Sequence, residues 1–133
     1  MKFVKLYLLA IPCFFLLDML WLGWIARPFY QRQMAPWISP KTDWLAAGLF
    51  YLLFLGGLVY FVLWLKPNDS AWSVLLRGAF FGLITYATYE LTNKAVIQSW
   101  PWSLVVVDIL WGVFLCAVTA WLCHQLAVSL QVY

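Results

Sequence analysis

Charged residues are scarce in this chain of 133 residues: they make up 10% of it, whereas 66% is hydrophobic and 20% is aromatic. A soluble domain carries about a quarter charged and about half apolar residues, so the composition excludes a water-soluble globule. Intrinsic disorder is excluded too, because it requires low hydrophobicity and a high net charge, and the net charge here is only +3. We therefore expect an integral membrane protein whose main partner is the lipid bilayer.

Cysteine and histidine are also few, with three cysteines and one histidine. Scattered cysteines in odd number exclude a disulfide scaffold, and a lone histidine disfavours haem or histidine-based zinc, so no metal or other cofactor is expected. The eight Lys and Arg residues are dispersed among segment ends, which speaks against a nucleic-acid partner. The chain also lacks a P-loop, a Gly-x-Ser-x-Gly sequence and an Asp-rich magnesium motif, so catalysis is the less favoured class of function.

Four hydrophobic stretches divide the chain, at residues 3–26, 43–65, 72–98 and 102–128. Each exceeds the roughly 20 residues that cross a hydrocarbon core about 30 Å thick. Unbroken apolar runs satisfy their backbone groups in a membrane only as helices. The sequence thus predicts an all-α fold: a single membrane domain, residues 1–133, built as an antiparallel four-helix bundle.

Proline-containing connections separate these stretches. The first, residues 27–42, mixes prolines with aromatic residues and is expected to lie in the headgroup layer, with Ser39 or Thr42 capping the second helix. Residues 66–70 are expected to form a tight turn in which Asp69 or Ser70 caps the third helix. No connection is long enough to hold a soluble domain.

The basic residues give an even count for membrane orientation. Four spans place both termini on one side, and each side receives four basic residues: Lys2, Lys5, Lys66 and Arg77 against Arg27, Arg32, Lys41 and Lys94. The α-amino group and the usual dominance of the first helix favour cytoplasmic termini.

Three of the five acidic residues lie inside the predicted helices: Asp18, Glu90 and Asp108. With a rise of 1.5 Å per residue, each lies roughly 9 to 13 Å from the membrane face opposite the termini. A charge at the centre of a span costs roughly 2.5 to 3.5 kcal/mol on insertion scales, so these side chains should face inwards. The sequence predicts one acidic pocket, open or nearly open to that face.

Residues at helical spacing from the acids add an aromatic and polar lining to this pocket. Tyr86 and Asn93 share a face with Glu90, Trp111 shares one with Asp108, and Trp21 flanks Asp18. The expected ligand-binding residues are Asp18, Trp21, Tyr86, Glu90, Asn93, Asp108 and Trp111. In a purely structural alternative, the acids pair with Arg27, Arg32 or Lys94 and lock the helices together.

Gly78 and Gly82 form a Gly-xxx-Gly sequence on the third predicted helix. Small residues at this spacing let two helix backbones approach closely. We expect them to form a packing surface within the bundle, with a homodimer contact as the alternative.

Several short sequences resemble a family of small bacterial inner-membrane proteins that is classed only as a domain of unknown function. They cover nearly the whole chain and lie at residues 18–23, 27–30, 77–78, 86–93, 100–101 and 108–112. The family has Asp where this chain has Glu90. The resemblance implies a four-span protein of the bacterial inner membrane and supplies no catalytic residue. Family members are often encoded beside enzymes that modify unsaturated acyl chains, which implies a lipid-linked role.

Three functions are compatible with these observations. The favoured one is an intramembrane acidic and aromatic pocket that binds or moves a small cation, an amphipathic amine or a proton. The second is an enzyme that modifies membrane-lipid acyl chains, or an accessory subunit of one. The third is a purely structural membrane protein.

Overall fold

The computed structural model describes residues 1–64 and 69–133, and these contain helices and no strand. The helices in chain order are α1 (Lys2–Leu20), which continues as the π-helical stretch Trp21–Ile25; α2 (Arg27–Gln33); α3 (Trp44–Leu58), which continues as the π-helical stretch Val59–Trp64; α4 (Ala71–Val96); and α5 (Trp102–Ser129). The predicted all-α fold is confirmed. The predicted end of the second span at residue 65, and residues 66–68 of the predicted turn, lie outside the described ranges.

Capping residues explain where two of the long helices begin. Asp43 caps α3 by accepting a hydrogen bond from the Ala46 backbone N–H at 3.0 Å, so the expectation of Ser39 or Thr42 was wrong by one residue or more. A carboxylate caps a helix as well as a hydroxyl does, and its negative charge also interacts favourably with the positive end of the helix dipole. Ser70 caps α4 as expected, accepting from the Ser73 N–H at 3.2 Å.

Three helical segments are long and apolar enough to cross a membrane: Lys2–Ile25, Trp44–Trp64 and Trp102–Ser129. The remaining long helix, α4, has 26 residues and would measure about 39 Å, but Arg77, Glu90 and Lys94 reduce its hydropathy. It makes the most extensive helix contact in the described chain, against α5. A fourth span through α4 remains a prediction.

The crossing of α4 and α5 depends on glycine. A Cβ built on Gly78 would lie 2.6 Å from the Cys116 carbonyl oxygen, and one built on Gly82 would overlap the Gly112 carbonyl. A Cβ on Gly112 would overlap the ring of Tyr86. The Gly78 and Gly82 face is therefore occupied by α5 within the same chain.

The connection between the first two spans contains a helix, α2, that the sequence pattern does not predict. Pro28 lies in the first turn of α2, where its fixed φ suits the helix and its missing N–H is not needed. Aromatic and apolar residues of this connection, Phe29, Tyr30, Met34 and Trp37, pack against buried Trp100 and the start of α5. This packing holds α2 over the end of the bundle that lies nearer to the acids, and Tyr30 on α2 bonds Asp108 there.

The glycine crossing yields a stability prediction. Replacement of Gly82 by Ala forces α4 and α5 apart and should reduce the free energy of unfolding by about 1 to 3 kcal/mol, the usual range for overpacking. The matched control is Gly48→Ala in α3, where a Cβ meets nothing within 4 Å and where Ala is the better helix former. Unfolding of both variants in detergent measures the difference, and equal stabilities would contradict the close crossing.

Candidate functional site

The three acids inside the helices are all buried. Asp18 on α1 is 2% exposed, Glu90 on α4 is 1% exposed, and Asp108 on α5 is 8% exposed. A buried carboxyl group needs hydrogen bonds or a partner charge to offset its lost hydration. The donors that each one finds therefore define the site.

Asp108 is held by a phenol from α2. The Tyr30 hydroxyl donates to Asp108 Oδ1 at 2.6 Å, and the Trp21 indole N–H donates to the Tyr30 oxygen at 3.3 Å. Burial raises the pKa of Tyr30, and the negative charges of Asp108 and Glu90 raise it further. Tyr30 consequently keeps its proton and remains a donor to the acid.

Asp18 and Glu90 are held in the same way by neutral donors. The Tyr51 hydroxyl on α3 donates to Asp18 Oδ2 at 3.1 Å. The indole N–H of Trp100, in the turn between α4 and α5, donates to Glu90 Oε2 at 2.8 Å. The three acids thus take their side-chain hydrogen bonds from two phenols and one indole.

The carboxyl groups lie near one another. Asp108 lies close enough to Glu90 and to Asp18 for its charge to act on both. Two carboxyl groups in such contact cannot both stay ionised unless a cation lies near them; otherwise they share a proton. The arrangement can therefore hold a proton or a positive charge.

A stacked pair of indoles lies beside the acids. The rings of Trp21 and Trp111 are 4.6 Å apart between centroids and 10° from parallel. The Trp111 N–H is buried and has no hydrogen-bond partner in the described ranges, although its indole lies near the Asp18 carboxyl group. Trp111 on α5 thus lies beside Asp18, and Trp21, at the start of the π-helical stretch, contacts Asp108 through Tyr30.

The expected charge partners lie elsewhere. Arg27 and Arg32 are exposed, and Arg32 donates to the Pro28 carbonyl at 3.3 Å. Lys94 Nζ donates to the Trp100 carbonyl oxygen at 2.6 Å. Within residues 1–64 and 69–133, none of these cations forms an ion pair with a buried acid. This corrects the expected pairing: Arg27 and Arg32 lie on the surface, Lys94 bonds a carbonyl oxygen, and neutral donors reach the acids.

Of the remaining predicted site residues, Tyr86 lies beside the acids and Asn93 does not bond them. Tyr86 packs on Gly112 and borders Asp108. Asn93 makes no side-chain hydrogen bond with the acids among the described residues. The donors Tyr30, Tyr51 and Trp100 were not predicted from the sequence. One signal was available for Tyr30, because a tyrosine in a connection on the side of the expected pocket mouth is a natural donor.

A groove opens from the acid site towards the outer surface between α3 and α4. It has a volume of about 610 Å³ and ends at Asp108. Its walls are mainly apolar and aromatic, formed by Phe50, Phe54, Ile84, Thr85, Tyr86, Thr88 and Tyr89. The groove exists because α4 contacts the stretch Val59–Trp64, whereas the preceding turns of α3 make little contact with α4.

Residues 3–125 match the family described as "Predicted membrane protein (DUF2177)", so the chain belongs to that family and is located in a membrane. The chain is also 27% identical over 104 residues to a fluoride-specific ion channel, FluC, of Magnetococcus marinus, a match that covers 76% of this chain and 85% of that protein. No solved structure matches the chain.

The phenol bond to Asp108 yields a second prediction. The replacement Tyr30→Phe removes one donor from a buried acid and should lower the free energy of unfolding by about 1 to 3 kcal/mol, the cost of an unsatisfied buried polar group. The replacement Tyr60→Phe is the control, because Tyr60 is 41% exposed and its hydroxyl makes no hydrogen bond in the described ranges. Thermal unfolding in detergent compares the two, and equal losses would show that the Tyr30 bond contributes nothing.

Proposed function

We propose that this membrane protein uses Asp18, Glu90 and Asp108 as one intramembrane site that binds or moves a small cation, an amphipathic amine or a proton. The observation that carries the proposal is the set of donors around the acids. Every donor found is neutral, so no fixed positive charge in the described chain balances the three carboxyl groups. A mobile positive charge is what such a site attracts.

A structural role is less well supported by the same contacts. Buried acids that serve only to lock helices are expected to pair with basic side chains, because an ionised carboxyl group is costly to bury without a partner charge. Here Lys94, four residues after Glu90 on α4, instead donates to the carbonyl of Trp100, whose indole bonds Glu90. The lysine therefore stabilises the turn, and Glu90 has no counter-ion among residues 1–64 and 69–133.

The similarity to an ion channel supports the movement of ions as a class of function. The relative is named for fluoride, an anion. Ionised carboxyl groups repel an anion, so the acids of this chain favour a proton or a cation as the species that reaches them. The relative thus supports an ion pathway in general, and the acids of the site determine which ion is proposed.

A lipid-linked role is the second candidate, and the groove that ends at Asp108 is the observation that favours it. Apolar walls around about 610 Å³ are suited to an acyl chain. An accessory protein or enzyme of this kind would retain lipid through purification. Mass spectrometry of the purified protein distinguishes this candidate, because a stoichiometric lipid of one type would support it.

The orientation proposed is that of four spans in the bacterial inner membrane, with α4 crossing beside α5. Both termini then lie in the cytoplasm, and α2 covers the acid site on the opposite face. The polar residues of α4 are compatible with a span because α5 packs along that helix.

Transport through the acids predicts a loss of flux on their neutralisation. In vesicles that contain the purified protein and a pH-sensitive dye, an imposed proton or Na⁺ gradient should move ions, and Asp108→Asn should slow that movement by about tenfold or more, equivalent to roughly 1.4 kcal/mol. Asp18→Asn and Glu90→Gln should also slow it. The control is Asp43→Asn, since Asn caps α3 as well as Asp does. Wild-type flux in all three acid variants would refute the proposal.

The orientation predicts the behaviour of terminal reporters. An enzyme that is active only after export should be inactive when fused to Tyr133, whereas a fusion within the connection after α2, at Pro36, should be active. Activity of the Tyr133 fusion would invert the proposed orientation, and equal activity of both fusions would contradict four spans.

A further inference from the structure

We infer that the groove between α3 and α4 admits an organic ammonium ion with an apolar body, which reaches Asp108 sideways from the acyl-chain region of the membrane. The inference rests on the proposed function, because Asp108 is one of its three acids. It goes further by selecting one of the three proposed substrate classes, the amphipathic amine, and by assigning its route.

The groove combines size, apolar walls and a single acid. Its volume of about 610 Å³ is within the range of about 300 to 1,000 Å³ that drug-sized ligands occupy. Its two threonine hydroxyls donate to backbone carbonyls, Thr85 to Phe81 at 2.8 Å and Thr88 to Ile84 at 2.6 Å. Asp108 is the one charged side chain among the lining residues, so it is the group that selects an occupant by charge.

Two other apolar grooves provide an internal comparison. One, of about 590 Å³, is lined by residues of α1 and of α3 with its π-helical extension; the other, of about 600 Å³, lies between α1 and α5. Neither is lined by a charged side chain, so acyl chains suffice to fill them. The groove at Asp108 has nearly the same volume, and its carboxyl group distinguishes it.

Aromatic rings beside a carboxyl group favour an ammonium ion. Phe54 lies 6.1 Å from Tyr86, edge to face, and 5.5 Å from Phe50, so three rings form a continuous wall. Ring faces attract organic cations, and quaternary ammonium groups are the best-known ligands of such walls. Asp108 then supplies the opposite charge where the groove ends.

The other route to the acids is covered. Tyr30 on α2 bonds Asp108, and Trp100, which is 2% exposed, bonds Glu90. By contrast, Phe50, Ile84 and Tyr89 at the groove are each about half exposed on the apolar surface of the molecule. Since Asp108 is the most exposed of the three acids, the groove is the more open path to the site.

The test compares two soluble cations with the full-length protein in detergent. Benzyltrimethylammonium carries an apolar ring, and tetramethylammonium does not. Calorimetric titration should show that the first binds at least about tenfold more tightly, and Asp108→Asn should abolish that binding. Ile84→Trp, which fills the groove, should weaken it by about tenfold. The control is Leu83→Trp on the same helix. Leu83 is exposed to a similar degree, 42% against 50% for Ile84, but it lies outside the groove. This variant should therefore keep the wild-type affinity.

The outcomes separate this inference from the proposed function. Equal affinity for the two cations, or binding that Ile84→Trp leaves unchanged, would overturn the groove inference; flux that depends on the acids would then still stand. Binding that survives Asp108→Asn would also overturn it and would point to apolar occupancy by lipid. The groove inference would be supported if benzyltrimethylammonium binding is weakened in Ile84→Trp, is lost in Asp108→Asn and is retained in Leu83→Trp. Flux that is indifferent to all three acids would refute the proposed function itself.

Discussion

The architecture of the site depends on the cost of keeping carboxyl groups out of water. Asp18, Glu90 and Asp108 come from three different helices, and each is nearly inaccessible. A group of this kind must be hydrogen-bonded, neutralised or paired. The phenol of Tyr30 and the indole of Trp100 meet this need from segments outside the long helices, so the short connecting segments are as necessary to the site as the helices themselves.

The position of α5 follows from the same constraint. In an apolar stretch of 18 residues within α5, 56% of the residues are buried, whereas the corresponding share is 22% in each of the other two apolar segments. An interior helix can carry Asp108 without exposing it to acyl chains. The glycines of α4 allow that helix to approach so closely that Glu90 reaches Asp108 across the interface. Backbone proximity, made possible by Gly82, thus determines which acids meet.

The sequence was sufficient to predict the helices and the inward direction of the acids, because both follow from local composition and from the cost of charge in lipid. Gly78 and Gly82 were recognised for the same reason, since close packing needs only a small side chain at a fixed spacing. The hydrogen-bond donors to each acid could not be predicted from the sequence. Whether Glu90 bonds Lys94 or Trp100 depends on how the turn after α4 folds back, and that turn contains Ser99 with a positive φ of 63°, which no pattern in the chain indicates. Tyr51 was similarly hidden in an apolar run of α3.

The π-helical stretch after α1 places a condition on chain length. The Ala26 N–H donates to the Trp21 carbonyl, five residues earlier, at 2.8 Å, and a wide turn of this kind is equivalent to one residue inserted into an α-helix. Each residue of an α-helix turns it by about 100°, so a chain one residue shorter between Trp21 and Ile25 would rotate α2 by that angle. Tyr30 would then face away from Asp108. The number of residues in this stretch of the chain therefore decides whether the phenol of Tyr30 can close over the acid.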